Sequence, residues 1–379
     1  MRIGIISGEY APLRGGISDS NQALVGALLR RGHAIALLTN PGSAESRPQT
    51  SLDWSAGWGL PCWWRTPRWG IRRSVQVVNF HYQTAMYGMS PWVHGLPKRF
   101  AAPCAVTFHD LRFPYLFPKA GDALRKHFVL ALARQAALAI VTNHEDEASL
   151  HQAGIGHTAL IPIGSGIEQT PLSREARAAL RASLGLAEDE LLWGHFGFLY
   201  PNRGVEALLY ALRRQRDAGQ AARLLMIGGR EGGPTDDVYV ARLDRLIAEL
   251  GLSQAVAWTG YVEPSQASAW LQACDGLVLP FADGASYRRS SLMAAIQHAC
   301  PILTTQPQVV IPTFEHGVNL WLVPPDDVDA LTDGLTRLSD AALRTHLAQG
   351  VARLRQHFQW DDIAARYESA FAALLEKTP

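Results

Sequence analysis

The sequence predicts an α/β protein made of two tandem halves, each a doubly wound, Rossmann-like parallel sheet. Three observations carry this. Short apolar runs of strand length alternate with helical patterns along nearly the whole chain, as parallel strands joined by crossover helices require. The pattern strand, glycine turn, helix occurs first at Ile3–Ile6, Gly15-Gly16 and Ser18–Arg31, and restarts at Leu191–Phe196, Gly197 with Gly204, and Val205–Arg216. A chain of 379 residues, 47% of them hydrophobic, is too long for one core and apolar enough for two.

In the first half, Ser18 or Asp19 can cap the opening helix, Leu24 and Leu28 share a face, and Gly32 closes it. Strands follow at Ala34–Leu38, Val75–Phe80, Ala105–Phe108, Ala139–Thr142 and Ala159–Pro162, so residues 1–168 form the first domain. Residues 169–190 are polar, with Pro171 and a short amphipathic helix, and are expected to be the connection. The second domain, 191–357, continues with strand Arg223–Ile227, helix Val238–Leu250, strand Ala255–Thr259, helix Ser265–Ala273 and strand Gly276–Leu279. A polar loop, a helix from Ser290 and a strand Pro301–Thr304 come next, then helices at Asp327–Leu338 and from Asp340. The last segment, 358–379, carries Phe358, Trp360, Tyr367 and Phe371, whose apolar face is expected to pack back on the first domain. Two such halves place a cleft at the carboxyl ends of their strands, where ligands of open α/β sheets bind.

Composition excludes several classes. Thirty-five basic against thirty-four acidic residues argue against a nucleic-acid partner. The four cysteines, Cys62, Cys104, Cys274 and Cys300, form no close pair, which suits buried reduced thiols in a cytoplasmic protein. Arg2–Ser7 enters a strand with no secretory pattern before it, and the apolar run Phe128–Val141 is broken by Arg134 and Gln135 and is too short to span a bilayer. No zinc spacing, Gly-x-Ser-x-Gly elbow or Walker lysine occurs, and Asp327-Val-Asp329 sits where helix capping explains it, so no metal site is expected. Residues 54–73 hold Trp54, Trp58, Trp63, Trp64 and Trp69 with Arg65, Arg68, Arg72 and Arg73. That mixture suits a peripheral membrane contact or a lipid-linked acceptor; the other reading is a loop whose tryptophans pack on the first domain.

Candidate site residues gather at strand ends. The loop after Gly276–Leu279 holds Asp283, Gly284, Ser286, Arg288 and Arg289 before the helix at Ser290. One carboxylate, two guanidiniums and a helix N-terminus suit an anionic, hydroxyl-rich ligand such as a phosphorylated sugar. Gly15-Gly16 lets backbone approach a phosphate, or is a plain turn. His109, after Ala105–Phe108, can donate to a substrate oxygen, or is structural beside a capping Asp110. His81 occupies the same position after Val77–Phe80, and His144 marks a helix start. Arg203 can hold a diphosphate, or is a solvated charge. Glu231, in Gly228-Gly-Arg-Glu231, can accept from ribose or base hydroxyls.

Together these residues resemble a bacterial, retaining glycosyltransferase of the family-4 type with the two-domain GT-B architecture. The resemblance rests on Gly-Gly-Ile17, Arg-Gly-His33, Thr107-Phe-His-Asp110, Ile161-Pro-Ile-Gly-Ser-Gly166, Phe196-Gly-Phe-Leu with Arg203-Gly204, Trp258-Thr-Gly-Tyr-Val262 and Leu322-Val-Pro-Pro-Asp326, in that order along nearly the whole chain. It implies that the second domain binds a nucleotide-diphosphate sugar as donor substrate, with no separate cofactor and no metal. His109, Asp283 and Arg203 would be the catalytic residues, Arg203 standing where the family usually has lysine. Gly15, Gly16, Gly197, Glu231, Gly284, Ala285, Ser286, Arg288, Arg289 and Ser290 would line the donor. The family's two glutamates are replaced, the first by Asp283 and the second, by position, by Ala294, while Phe198 stands at a frequent arginine site. Arg288 or Arg289 would restore the lost positive charge, and ribose recognition falls to Ser290, Ser291 or Glu231. A nucleotide-sugar epimerase on the same fold, or a catalytically silent sugar-nucleotide-binding paralogue, are the alternatives.

Overall fold

Apolar, β-branched-rich runs with no polar alternation form strands buried on both faces, and here they form two parallel sheets. A computed structural model of the protein describes every residue except 14–15, 43–49, 112–121, 188, 230–233 and 378–379. The first sheet contains β1 (Arg2–Ile6), β2 (Ala34–Thr39), β3 (Thr50–Trp54), β4 (Val77–Tyr82), β5 (Cys104–Phe108), β6 (Leu138–Val141) and β7 (Thr158–Leu160). Its order is β3-β2-β1-β4-β5-β6-β7. The second contains β8 (Leu191–Phe196), β9 (Ala222–Ile227), β10 (Val256–Gly260), β11 (Gly276–Leu279), β12 (Ile302–Thr305) and β13 (Trp321–Val323), in the order β10-β9-β8-β11-β12-β13. Each pairing of these strands is parallel. Strand order reverses between β1 and β4 in one sheet and between β8 and β11 in the other, the switch points at which such sheets hold ligands.

The chain divides into two compact units, Met1–Gly166 with Gln359–Pro379, and Ile167–Phe358. In the first, the helix Trp360–Glu376 lies on the helix Gly16–Arg30, burying Ile363, Tyr367 and Phe371 against Leu24, Leu28 and Ile3. Burying a side chain such as Phe371 contributes about 2–3 kcal/mol. The opposite sheet face packs Phe80, Tyr82, Val106 and Leu132. Among the described residues, no helix is long and apolar enough to cross a membrane.

Several elements differ from the sequence expectation. The first helix begins at Gly16, so Ser18 and Asp19 lie inside its first turn instead of capping it. The run Phe128–Val141 divides into the end of the helix Asp122–Gln135 and β6. Strands β3 and β13 and the helix Cys62–Arg72 are additional; the helix carries Pro67 near its middle, where the ring removes one backbone donor, and buries Cys62, Thr66 and Trp69. Residues 169–190 are part of the second unit: Ser173 caps the helix Arg174–Ser183, whose Arg177 and Arg181 each donate to Asp275 at 2.9 Å.

Asp275 also accepts from the backbone of Leu192 at 2.8 Å, so one half-buried carboxylate ties this helix to the starts of β8 and β11. Removing it leaves two guanidiniums with backbone carbonyl acceptors and no carboxylate. Asp275→Ala should lower unfolding stability by ~3 kcal/mol in urea titrations; a loss under ~0.5 kcal/mol, the range of surface substitutions, would show that the clamp is ornamental.

Candidate functional site

In the second unit the site is built by two loops pressed together at the β8/β11 switch point. After β8 the chain makes a short turn, Pro201–Arg203, and Gly204 opens the next helix with φ 68°. A Cβ on Gly204 would lie 1.9 Å from the carbonyl oxygen of Pro280, so only glycine allows this approach. The backbone of Ala282 donates to Asn202 O at 3.0 Å and closes the junction. On the other side Gly284, with φ 82°, brings the loop against β12, where a Cβ would meet Gln306 O at 2.6 Å.

These contacts converge two guanidiniums on one ring. The Arg203 and Arg289 Cζ atoms lie 5.6 and 4.8 Å from the centroid of the fully buried Phe281, within cation–π range. Arg289 is 8% exposed and forms an ion pair with Asp283. Arg203 Nη1 donates to Ser291 Oγ at 3.4 Å, while its buried Nε has no partner. Burial pushes the Arg203 guanidinium below its ordinary value, offset in part by Tyr200. A buried, still-charged group with an unspent donor is arranged for an incoming anion. Arg289 also precedes the helix Ser290–Gln297, whose first N–H groups add partial positive charge.

Beneath Arg203 lies His195, in β8. Its Nδ1–H donates to Val278 O at 2.9 Å, and its buried Nε2 has no partner. Burial, with Arg203 adding repulsion, moves its pKa down to about 4 against hydrogen bonding to Val278, so it is neutral and adds no charge.

The remaining expected positions are placed as follows. Gly197 has φ 122° and stands 3.5 Å, at its would-be Cβ, from the Ser291 Cβ. Ser290 is exposed at the helix start and Arg288 is half-buried. Ala285 and Ser286 are fully buried; Ala285 N–H donates to Thr305 O, and Ser286 Oγ has no partner. Ala294 is buried among apolar neighbours, its carbonyl accepting from His298 Nδ1 at 2.7 Å. Gly15 and Glu231 lie outside the described residues. Asp327 caps its helix by accepting from Ala330 N at 2.9 Å, and Asp329 pairs with Arg214. Among the described residues, no three His, Cys, Asp or Glu side chains group to hold a metal ion.

In the first unit, β4 and β5 place His81 beside Thr107, with His109 one step past β5. His81 Nδ1 lies 3.0 Å from His109 Nε2, and His81 Nε2 lies 2.9 Å from Asn79 Nδ2. Burial, with the neighbouring His109, drives the pKa of His81 far down; burial alone takes His109 to about 4. Gly16 is exposed at the start of its helix, where Ser18 Oγ and Asn21 Oδ1 are buried without partners. Asn21 Nδ2 donates to Ser7 Oγ at 2.8 Å.

Sequence reasoning missed Phe281, His195, Asn79 and Asn21. Phe281 and His195 look like core residues until the fold brings Arg203 to them; Asn21, whose Oδ1 alone lacks a partner, is marked only by its place early in a helix.

The residues matched to known families now fall on the two units. Residues 14–168 match the family described as Glycosyltransferase Family 4, and residues 191–341 match Glycosyl transferases group 1. The chain belongs to these family-4, group 1 glycosyltransferases and is an enzyme of that class. It is 26% identical over 319 residues to the D-inositol 3-phosphate glycosyltransferase of Xylanimonas cellulosilytica, an alignment taking in 80% of this chain and 73% of that one. It is 32% identical over 184 residues to the MMP alpha-(1->4)-mannosyltransferase of Mycolicibacterium hassiacum, covering 45% and 41%. Its fold is that of sucrose-phosphate synthase from Thermosynechococcus elongatus, with TM-score 0.79, 22% identity and full coverage of both chains. It also matches Anabaena HepE in complex with UDP and glucose, with TM-score 0.75, 18% identity and coverage of 98% and 100%.

His81, His109 and His195, three of six described histidines whose pKa burial lowers, contribute a pH dependence. Their folded pKa values lie below the ordinary 6.5, so the unfolded chain binds more protons in the interval between. The stability from their neutral forms is complete above pH 6.5 and is lost as pH falls toward about 4. Calorimetry across this interval should show the melting temperature falling with net proton uptake on unfolding; a flat profile would contradict the burial described.

Proposed function

We propose that the protein transfers a sugar from a nucleoside-diphosphate sugar to an acceptor hydroxyl, with retention at the anomeric carbon and without metal assistance. The observation that carries this reading is the convergence of Arg203 and Arg289 on Phe281 beside a helix N-terminus. Among the described residues here, two guanidiniums against the one carboxylate of Asp283 leave net positive charge, suited to a diphosphate leaving group. The bond from the anomeric carbon to the phosphate oxygen breaks as the bond to the acceptor oxygen forms on the same face. The departing phosphate oxygen takes the acceptor proton. Asp283, held by Arg289, accepts from hydroxyls of the transferred sugar, and His109 donates to one. With Ala294 buried, the exposed Ser290 is the serine left for ribose, since Ser291 already accepts from Arg203.

Arg203→Ala and Asp283→Ala should each lower turnover more than tenfold with unchanged circular dichroism, measured as sugar transfer or slow donor hydrolysis across a panel of nucleotide sugars. Full activity in both would sink this assignment. Thermal stabilisation by a nucleoside diphosphate without turnover by the native protein would favour the silent reading that the buried Ala294 motivates, and epimer exchange would favour the isomerase.

The acceptor side carries a second proposal, a peripheral contact with anionic lipid. On the helix Cys62–Arg72, Trp64, Arg65, Arg68, Ile71 and Arg72 are exposed on one face, while Trp69 is buried and Trp58 packs on Tyr87. No acidic residue occurs between Asp53 and Asp110, a stretch that also contains Lys98 and Arg99. Each basic side chain near an anionic surface contributes about 1 kcal/mol. Flotation with phosphatidylserine vesicles should recover the protein at low salt and lose it at high salt; equal recovery on neutral vesicles, or none on either, would retire the idea.

A further inference from the structure

The hydrogen bonds around His109 form a chain whose direction can be worked out atom by atom. Thr107 Oγ1 donates to Asn79 Oδ1 at 2.8 Å. A hydroxyl has one proton, so toward Tyr367, whose OH lies 3.3 Å away, Thr107 can only accept. The Asn79 amide, with its oxygen committed to Thr107, turns its Nδ2 to His81 at 2.9 Å, and Nδ2 can only donate. His81 Nε2 is therefore the bare nitrogen. Buried and neutral, His81 carries its proton on Nδ1, which faces His109 Nε2 at 3.0 Å. The two rings are inclined by 26°. His109 Nε2 is thus the acceptor of this bond, and the proton of the neutral His109 ring resides on Nδ1.

We propose that His81 is a positioning residue that fixes the tautomer of His109, so that His109 offers an Nδ1–H donor to the substrate. The control reaches back through Asn79 and Thr107 to Tyr367 on the C-terminal helix, every link donating in the same direction. All five side chains belong to the first unit, and all but His109 are at most 3% exposed. Burial matters here because a link in low dielectric that loses its partner leaves an unsatisfied polar atom. The chain is therefore held in one direction. A ring with the opposite tautomer would present a lone pair at Nδ1, and a sugar oxygen would lose the hydrogen bond it accepts. The second-histidine arrangement gives His109 a defined donor without giving it charge, which suits contact with a neutral hydroxyl.

The proposal rests on the reading that His109 contacts the transferred sugar, yet the tautomer can be measured with no substrate. Two-bond nitrogen–proton correlation spectra of histidine-labelled protein report which ring nitrogen is protonated. In the wild type, His109 should be protonated at Nδ1. In His81→Phe, which keeps a ring but removes the donor, the His109 proton should move to Nε2, and kcat should fall roughly tenfold with KM for the donor changing less. Asn79→Leu should shift the tautomer in the same direction. Nε2 protonation in the wild type overturns the proposal, as does an unchanged tautomer in His81→Phe. If the variants do not fold, the wild-type spectrum alone decides. His109→Ala tests the underlying reading separately: undiminished turnover there removes His109 from the site while leaving the tautomer result intact.

Discussion

The approach of Gly204 to the carbonyl oxygen of Pro280 is the constraint on which the donor-side geometry depends. It presses the turn after β8 against the end of β11, with 1.9 Å separating that oxygen from where a Cβ would stand. Everything polar at this switch point follows from that contact. Arg203 reaches Phe281 and Ser291 because its turn cannot lift away, and Asn202 is locked to Ala282 by a backbone bond. Gly284 repeats the device against β12, so the loop carrying Asp283 and Arg289 is fixed from both sides. Two glycines thus convert a pair of surface loops into a preorganised wall, sparing the loss of conformational freedom that a mobile loop would suffer on binding.

The electrostatics of that wall are set by an unequal pairing. Asp283 balances Arg289, while Arg203, among the described residues, meets a serine hydroxyl, an aromatic face and Tyr200 and keeps one nitrogen with no partner. Desolvation lowers the Arg203 pKa from so high a starting value that the group stays charged. An anion entering here meets one unneutralised cation, a second cation already oriented by its carboxylate, and the N-terminus of the helix Ser290–Gln297. The ion pair also orients the Asp283 carboxylate. This side chain is held by a guanidinium from the same loop, six residues on.

How much of this was legible in the sequence depends on whether the signal is local. β8 and β11 were found with their observed bounds because a buried parallel strand is a continuous apolar run between turn residues. β3 was missed because Thr50-Ser-Leu-Asp-Trp54 is an edge strand with only partial burial and a polar composition. The helix Cys62–Arg72 was hidden by Pro67 and by tryptophans that suggested an irregular loop. The loop from Asp283 to Arg289 was visible as a charged strand end, but the pairing of Arg289 with Asp283 is a matter of turn geometry. Ala285 and Ser286 illustrate the same limit: adjacent in sequence to charged loop positions, they are buried, and only the fold reveals it. The Tyr367–Thr107–Asn79–His81–His109 chain joins residues up to 260 positions apart, and no spacing rule finds it.

Burial has opposite consequences in the two units, and the difference follows from the side chains. In the first, desolvation lowers His81 and His109 below neutrality, and the imidazoles respond by shedding their charge while keeping one donor and one acceptor each. In the second, the same desolvation acts on Arg203, which cannot shed its proton at any ordinary pH and remains a cation. The two kinds of group suit different chemistry. Negative charge accumulates on the leaving diphosphate, where fixed cations stabilise it most in a low-dielectric site. The sugar itself stays electrically modest around its hydroxyls, where a charged donor would add a desolvation cost without a matching anion. Taken each by itself, the neutral histidines of the first unit suit contact with hydroxyls, and the cations of the second suit an anion.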